Sequence, residues 1–254
     1  MTTRFPLSVT DELFLHLEKP DEPMHLQLDI RFSGRLDEQK LEAATYAAMA
    51  LHPLTSVRLH ARDGGYDWEA VARPDDDPGL AVGCAGEAAI EAARSDFFSR
   101  RLPLESAPPF RLLIAHHVDG DWLFFKISHA VTDAYGAYRF LQSVLRRLAE
   151  VNDPLPIDID VVPARHMHRQ FAAKSVTDRL KRATALLGYL MESVQLPTRI
   201  TPLFGEDKAG LAFVAHTFSV TETDGLAVLR KGSATLNDVL AALLHQTIAR
   251  WNVS

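Results

Sequence analysis

One cysteine, Cys84, stands in the whole 254-residue chain. That excludes an intramolecular disulfide and any thiolate metal cluster, and leaves Cys84 as a small core or loop residue. No run of 18 apolar residues occurs, so no transmembrane helix is expected. The first thirty residues hold no continuous apolar segment of the kind a secretory leader needs, and cytoplasmic residence is the expectation. Excess positive charge is missing as well: the net charge is −6, and no bulk field favours nucleic acid. The chain has no Walker loop, dinucleotide fingerprint, zinc spacing, Gly-x-Ser-x-Gly elbow or internal repeat. What it does have is 47% hydrophobic and 24% charged residues, enough for a sizeable globular core.

Strand and helix patterns alternate along the first 150 residues. Ser8 or Thr10 can cap a helix reaching Glu18. From Met24 to Ser33, Leu26, Leu28, Ile30 and Phe32 alternate with His25, Gln27, Asp29 and Arg31, which predicts a half-buried strand. Asp37 caps a helix whose inner face is Leu41, Ala44, Ala48 and Leu51. Val57, Leu59 and Ala61 form a strand, turned by Asp63-Gly64-Gly65 into Tyr66–Val71. Pro74–Pro78 reads as a loop whose three carboxylates are solvated, without the spaced oxygen ligands a metal needs. A helix follows over Glu87–Arg101. Pro109–His117 and Trp122–Ser128 are two strands joined by a tight Asp119-Gly120 turn.

The second of those strands delivers His129, and four residues later Asp133 opens a helix with Tyr138, Leu141, Val144, Leu145 and Leu148 at helical spacing. An imidazole at a strand end can meet a substrate, and a carboxylate at a helix start can hold the loop. The same two residues also read as a buried histidine and an ordinary N-cap. His116-His117-Val118-Asp119-Gly120 is a look-alike, better read as a turn with two histidines at its mouth.

His129 and Asp133 together resemble the HxxxD motif of the condensation-domain and acyl-CoA-dependent acyltransferase superfamily. Pro6–Leu15 leading into Glu18–His25 resembles the opening of bacterial wax ester synthase/diacylglycerol acyltransferases. Ala234–Leu240 resembles their second signature, the Asn237-Asp238 pair. Two departures stand out: Ser128 replaces the first histidine of the usual pair, and Ala134 replaces the usual glycine, with Gly136 two places later. The resemblance implies a chloramphenicol-acetyltransferase-like two-layer α/β sandwich with a mixed, largely antiparallel sheet. It makes His129 the general base and gives Asp133 a structural ion pair with an arginine. Gly136, Asn237 and Asp238 are structural; Thr235 and Asp238 themselves resemble a capping box. No permanent cofactor is implied. The donor is an acyl-CoA or a phosphopantetheine thioester, the acceptor a small-molecule or lipid alcohol, or an amine, and a carrier protein is an expected partner. The other reading is a catalytically silent condensation-like module that binds a carrier protein or another partner.

Three regions follow from these landmarks: a condensation-like α/β subdomain over 1–152, a connector over 153–210, and a crossover strand with the first helix of a C-terminal subdomain over 211–254. Members of the superfamily have two similar halves with the histidine between them. The resemblance therefore implies that most of the second half is missing from this chain, which is then a fragment or one of two associating halves. Within the connector, the segment Val161 to Met191 holds Arg165, Arg169, Lys174, Arg179, Lys181 and Arg182 against a single acidic residue, Asp178. The basic helix expected over 165–191 reads as a surface helix, or as a contact for anionic lipid at a membrane periphery or for the phosphates of a CoA or carrier arm. Leu211–Val220 reads as a strand.

Overall fold

The computed structural model describes residues 3–19, 23–72, 74–154, 175–177, 180–181, 183–184, 187, 219–228 and 234–253. Contacts divide the chain into two compact units: Met1–Phe171 with Ala209–Ala212, and Ala172–Lys208 with Phe213–Ser254.

The first unit is built on strands β2 (His25–Arg31), β5 (Gly79–Gly83), β6 (Phe110–His116) and β7 (Trp122–Ser128), in the order β2-β7-β6-β5. β7 runs antiparallel to both β2 and β6, while β5 runs parallel to β6. The sheet is mixed and largely antiparallel, as the resemblance implied. β6 and β7 are buried along nearly their whole length, which is why both read as near-continuous apolar runs. On one face Leu112, Ile114, Leu123, Phe125 and Ile127 join a core with residues of α2 (Glu38–Met49) and α4 (Ala134–Leu148). On the other, Phe124 packs against Phe98 of α3 (Glu87–Ser99). A second sheet, β1-β4-β3, joins β1 (Arg4–Pro6), β3 (Val57–Arg62) and β4 (Gly65–Ala70). Helix α1 (Val9–Leu17) carries a Ser8/Asp11 capping box, and Asp37 caps α2.

Several expectations need correction. β1 and β5 are strands that the residue pattern did not announce: β1 is three residues ending on proline, and β5 is a five-residue run with glycine at both ends. The β6–β7 connection covers the five residues 117–121, and within it the Gly120 amide donates to the His117 carbonyl at 3.2 Å, so the turn is centred on Val118-Asp119 rather than Asp119-Gly120. Gly120 has φ +115°, and a Cβ there would collide with the Phe32 carbonyl, so only glycine fits. The Pro74–Pro78 carboxylates are not merely solvated. Asp75 pairs with Arg58 at 3.2 Å and accepts from the Ala107 amide, Asp76 pairs with Arg111 at 3.0 Å, and Asp77 accepts from the Gly79 amide at 2.8 Å.

In the second unit, α5 (Val220–Val228) and α6 (Leu236–Trp251) are described. Val220 opens a helix rather than closing a strand, and the rest of the strand expected over 211–220 lies outside the described residues, apart from Ser219 before the helix. Of the basic segment 165–191, Val176, Thr177, Leu180, Lys181, Ala183, Thr184 and Leu187 are helical. Arg165, Arg169, Lys174, Arg179 and Arg182 lie outside the described residues. Among the described residues no helix is long and apolar enough to cross a membrane.

Candidate active site

His129 follows the last residue of β7 and is partly buried. Its amide donates to the Met24 carbonyl at 3.0 Å, which ties the strand end to the approach of β2. Just before it, the Ser128 hydroxyl accepts from the Ala130 amide and the Ser128 carbonyl accepts from the Val131 amide, closing the turn toward α4. The imidazole stacks on Phe14 of α1, with ring centroids 3.8 Å apart and planes 20° from parallel. Its Nδ1 is sealed from solvent with no hydrogen-bond partner among the described residues. The nitrogen left for a substrate to reach is therefore Nε2.

Phe14 was not singled out from the sequence, yet α1 is fixed so as to present it. The Trp68 indole, fully buried on β4, donates to Asp11 Oδ2 at 3.0 Å. Asp11 is the residue that closes the Ser8 capping box, accepting from the Ser8 amide at 2.9 Å. One carboxylate thus caps the start of the helix and ties it to the second sheet, and Phe14 lies about one turn further along.

Asp133 is the N-cap of α4, its Oδ1 accepting from the Gly136 amide at 2.8 Å. A Cβ on Gly136 would run into the Thr132 hydroxyl, so the glycine lets the capped turn close over its neighbour. The ion pair with an arginine implied for Asp133 is not formed among the described residues, where the exposed carboxylate serves as cap. Thr235 and Asp238 form a capping box at the start of α6: the Thr235 amide donates to Asp238 at 2.6 Å, and the Asp238 amide donates to the Thr235 hydroxyl at 3.3 Å. The Thr235 amide and then the Thr235 hydroxyl, both donating to the Asp238 carboxyl, hold it below its usual range. Asn237, beside it, is exposed. His129, Asp133 and Gly136 thus share one turn of the first unit, whereas Asn237 and Asp238 belong to the second.

Two other histidines frame the site by contrast. His25 lies opposite Ser128 in the β2–β7 register; burial first, and then the Lys126 charge, push its pKa down to about 4. At the far end of the hairpin, His116 Nδ1 meets Asp121 Oδ2 at 2.7 Å and its Nε2 meets Glu38 at 3.0 Å. Asp121 is fully buried and also accepts from the Leu36 and His117 amides. Its burial opposes ionisation, but the Leu36 amide, His116 and the His117 amide outweigh that and hold the carboxyl below its usual range. These bonds make the look-alike segment a structural clamp at the hairpin mouth.

No family model matches the chain. An uncharacterized protein found in two strains of Mycobacterium tuberculosis is 32% identical over 260 residues, covering 99% of this chain. The chain spans 58% of the length of that relative. Among solved structures, the first condensation domain of the calcium-dependent antibiotic synthetase superimposes with a TM-score of 0.62 at 14% identity, over 78% of this chain and 50% of that one. SgcC5 from Streptomyces globisporus gives 0.58 at 19% identity, over 75% and 46%. The X-domain from teicoplanin biosynthesis gives 0.56 at 16% identity, over 67% and 40%. The fold is that of condensation domains.

Proposed function

We propose that the complete protein is an acyltransferase of the condensation type, moving an acyl group from a CoA or carrier-protein thioester to an alcohol or amine. The observation that carries this reading is the His129 ring, with one nitrogen sealed and the other open at the end of a rigid strand. A neutral imidazole, with an ordinary pKa of about 6.5, suits proton transfer near neutral pH. In the proposed step Nε2 takes the proton of the acceptor as its oxygen or nitrogen adds to the thioester carbonyl. The tetrahedral intermediate then expels the thiolate, which recovers the proton from the imidazolium. The ester or amide bond forms, the C–S bond breaks, and the histidine is restored. No covalent acyl-enzyme and no permanent cofactor are needed. Asp133 and Gly136 hold the turn that aims the ring, while Asn237 and Asp238 brace a helix.

Lipid-like alcohol acceptors and a wax ester synthase-like role rest on the N-terminal resemblance, and peripheral membrane contact rests on the local excess of positive charge over 165–191. Cytoplasmic residence belongs to the same proposal. A second reading, a silent module that binds a carrier protein or other partner, draws on the X-domain, a structural neighbour whose complex with OxyB has been solved. The departures at Ser128 and Ala134 also favour it.

The deciding experiment mixes the complete protein with acyl-CoA or acyl-carrier protein and a panel of alcohols and amines, and follows thiol release and the acylated product. Turnover that disappears in His129→Ala supports acyl transfer. Turnover unaffected by that change removes His129 from the mechanism, and carrier binding without turnover selects the silent module.

A further inference from the structure

A cavity of about 380 Å³ opens on the α3 face of the main sheet, away from the His129 turn. Its apolar lining includes Leu80 and Val82 of edge strand β5, Leu113 of β6 and Phe97 of α3. Leu80 and Val82 are 57% and 39% exposed, unusual for large apolar side chains on an unpaired strand edge. The charged lining is lopsided. Lys126, Arg100, Arg101 and Arg111 face a single carboxylate, Asp96, in a chain whose net charge is −6.

The cations differ in how they are satisfied. Arg100 pairs with Asp96 at 2.7 Å, Arg101 with Glu18 at 3.3 Å and Arg111 with Asp76 at 3.0 Å. Lys126 is 3% exposed and has no carboxylate partner among the described residues. Its ammonium donates to the Phe97 carbonyl and to the Arg100 carbonyl at 2.6 Å, and lies 4.6 Å from the centre of the Phe97 ring. Burial, and then the nearby Arg111 and Arg100, lower its pKa to about 8. A buried cation crowded by like charges gains from any anion that reaches it.

We propose that this cavity binds a single-chain anionic amphiphile, its tail on Leu80, Val82, Leu113 and Phe97 and its carboxylate or phosphate head among Lys126, Arg100 and Arg111. The size falls within the usual range for small-molecule sites, roughly 300–1,000 Å³. A charge-assisted hydrogen bond in a partly dry pocket provides the specificity, and covering Leu80 and Val82 adds the hydrophobic term. The site is independent of the acyl-transfer reading, because His129 does not line it.

Isothermal titration calorimetry on the 254-residue chain tests this with octanoate, octyl phosphate, octanol and inorganic phosphate as probes. Octanoate or octyl phosphate should bind saturably at one site, at least about tenfold more tightly than octanol or inorganic phosphate. The tighter of the two amphiphiles identifies the head group. Affinity should rise as pH falls from about 9 to 7, as Lys126 becomes fully protonated. Arg100→Glu and Val82→Asp, both at exposed positions, should each weaken binding at least about tenfold while circular dichroism and melting stay like the parent. His129→Ala should bind unchanged. Absence of saturable binding, equal affinity for octanol, or undiminished binding by both folded variants would overturn the proposal.

Discussion

The two ends of the β6–β7 hairpin each carry a histidine, and the difference between them separates structure from candidate chemistry. At the mouth, both ring nitrogens of His116 are engaged, one by the fully buried Asp121 and one by Glu38. At the other end, His129 has a sealed nitrogen without a partner, and an aromatic face rather than a carboxylate holds its ring. An imidazole bonded on both sides is committed to the fold. One held by stacking leaves Nε2 open to a substrate, while its Nδ1 is buried without a partner among the described residues, as is that of His25.

The largest effect should separate the two ends directly. For the proposed acyl transfer by the complete protein, His129→Ala should lower kcat/KM by ~10² to 10⁴-fold and leave the thermal midpoint nearly unchanged. A variant that melts early yet still turns over would reverse the comparison.

At the mouth the opposite pattern is expected. Asp121→Ala removes the acceptor for two amides and His116, and should cost about 3 kcal/mol of stability in a denaturant melt. Activity per folded molecule should persist; a selective loss of rate would give the clamp a catalytic part.

Phe14→Leu sharpens the His129 side by keeping apolar bulk and removing the stacked ring. Aromatic pairs contribute about 0.5–1.5 kcal/mol beyond their area, so kcat should fall by roughly three- to tenfold with KM unchanged. Phe14→Tyr should restore it. Equal loss in both variants would mean that the stack does not position the imidazole.

Asp133→Ala should cost ~0.5 to 2 kcal/mol as a lost N-cap, read as a lower melting temperature together with reduced activity. A change in rate alone would argue for direct contact with the reacting groups.

The smallest effect is a slope in pH. His25 has a folded pKa of about 4, below its ordinary 6.5, because burial disfavours the charged ring. Its contribution to stability is therefore present above pH 6.5 and is lost as the pH falls from there through about 4. Melting temperatures across that window should decline less steeply in His25→Gln than in the parent. Parallel slopes would show that the ring is protonated without penalty.

Much of the hairpin, its histidine and the capped helix could be read from residue patterns. Period-two alternation, an apolar run ending at His129 and Asp133 before a helical stripe are all local signals, and local backbone chemistry suffices to form them. β5 was hidden because a five-residue strand bracketed by Gly79 and Gly83 carries little pattern, and what makes it a strand is its parallel pairing with β6. Asp121 was hidden next to an Asp-Gly signal that looked like a complete turn. Its side-chain partners, Leu36, His116 and His117, come from two stretches of chain whose meeting no spacing encodes. Phe14 was hidden in the same way, being 115 positions from His129 in sequence.

By itself the sequence determined which segments form strands and helices in the hairpin region, where the helices begin, and which histidine ends a strand. Those properties depend on side-chain periodicity and on backbone hydrogen bonds made within a few residues. Only the tertiary structure decided which histidine is clamped and which is left open, that Trp68 and Asp11 aim Phe14 at the imidazole, and that four cations gather around one apolar cavity. Each of these requires groups far apart in the chain to be buried together, where the surrounding medium makes an unpaired nitrogen or a crowded ammonium energetically significant.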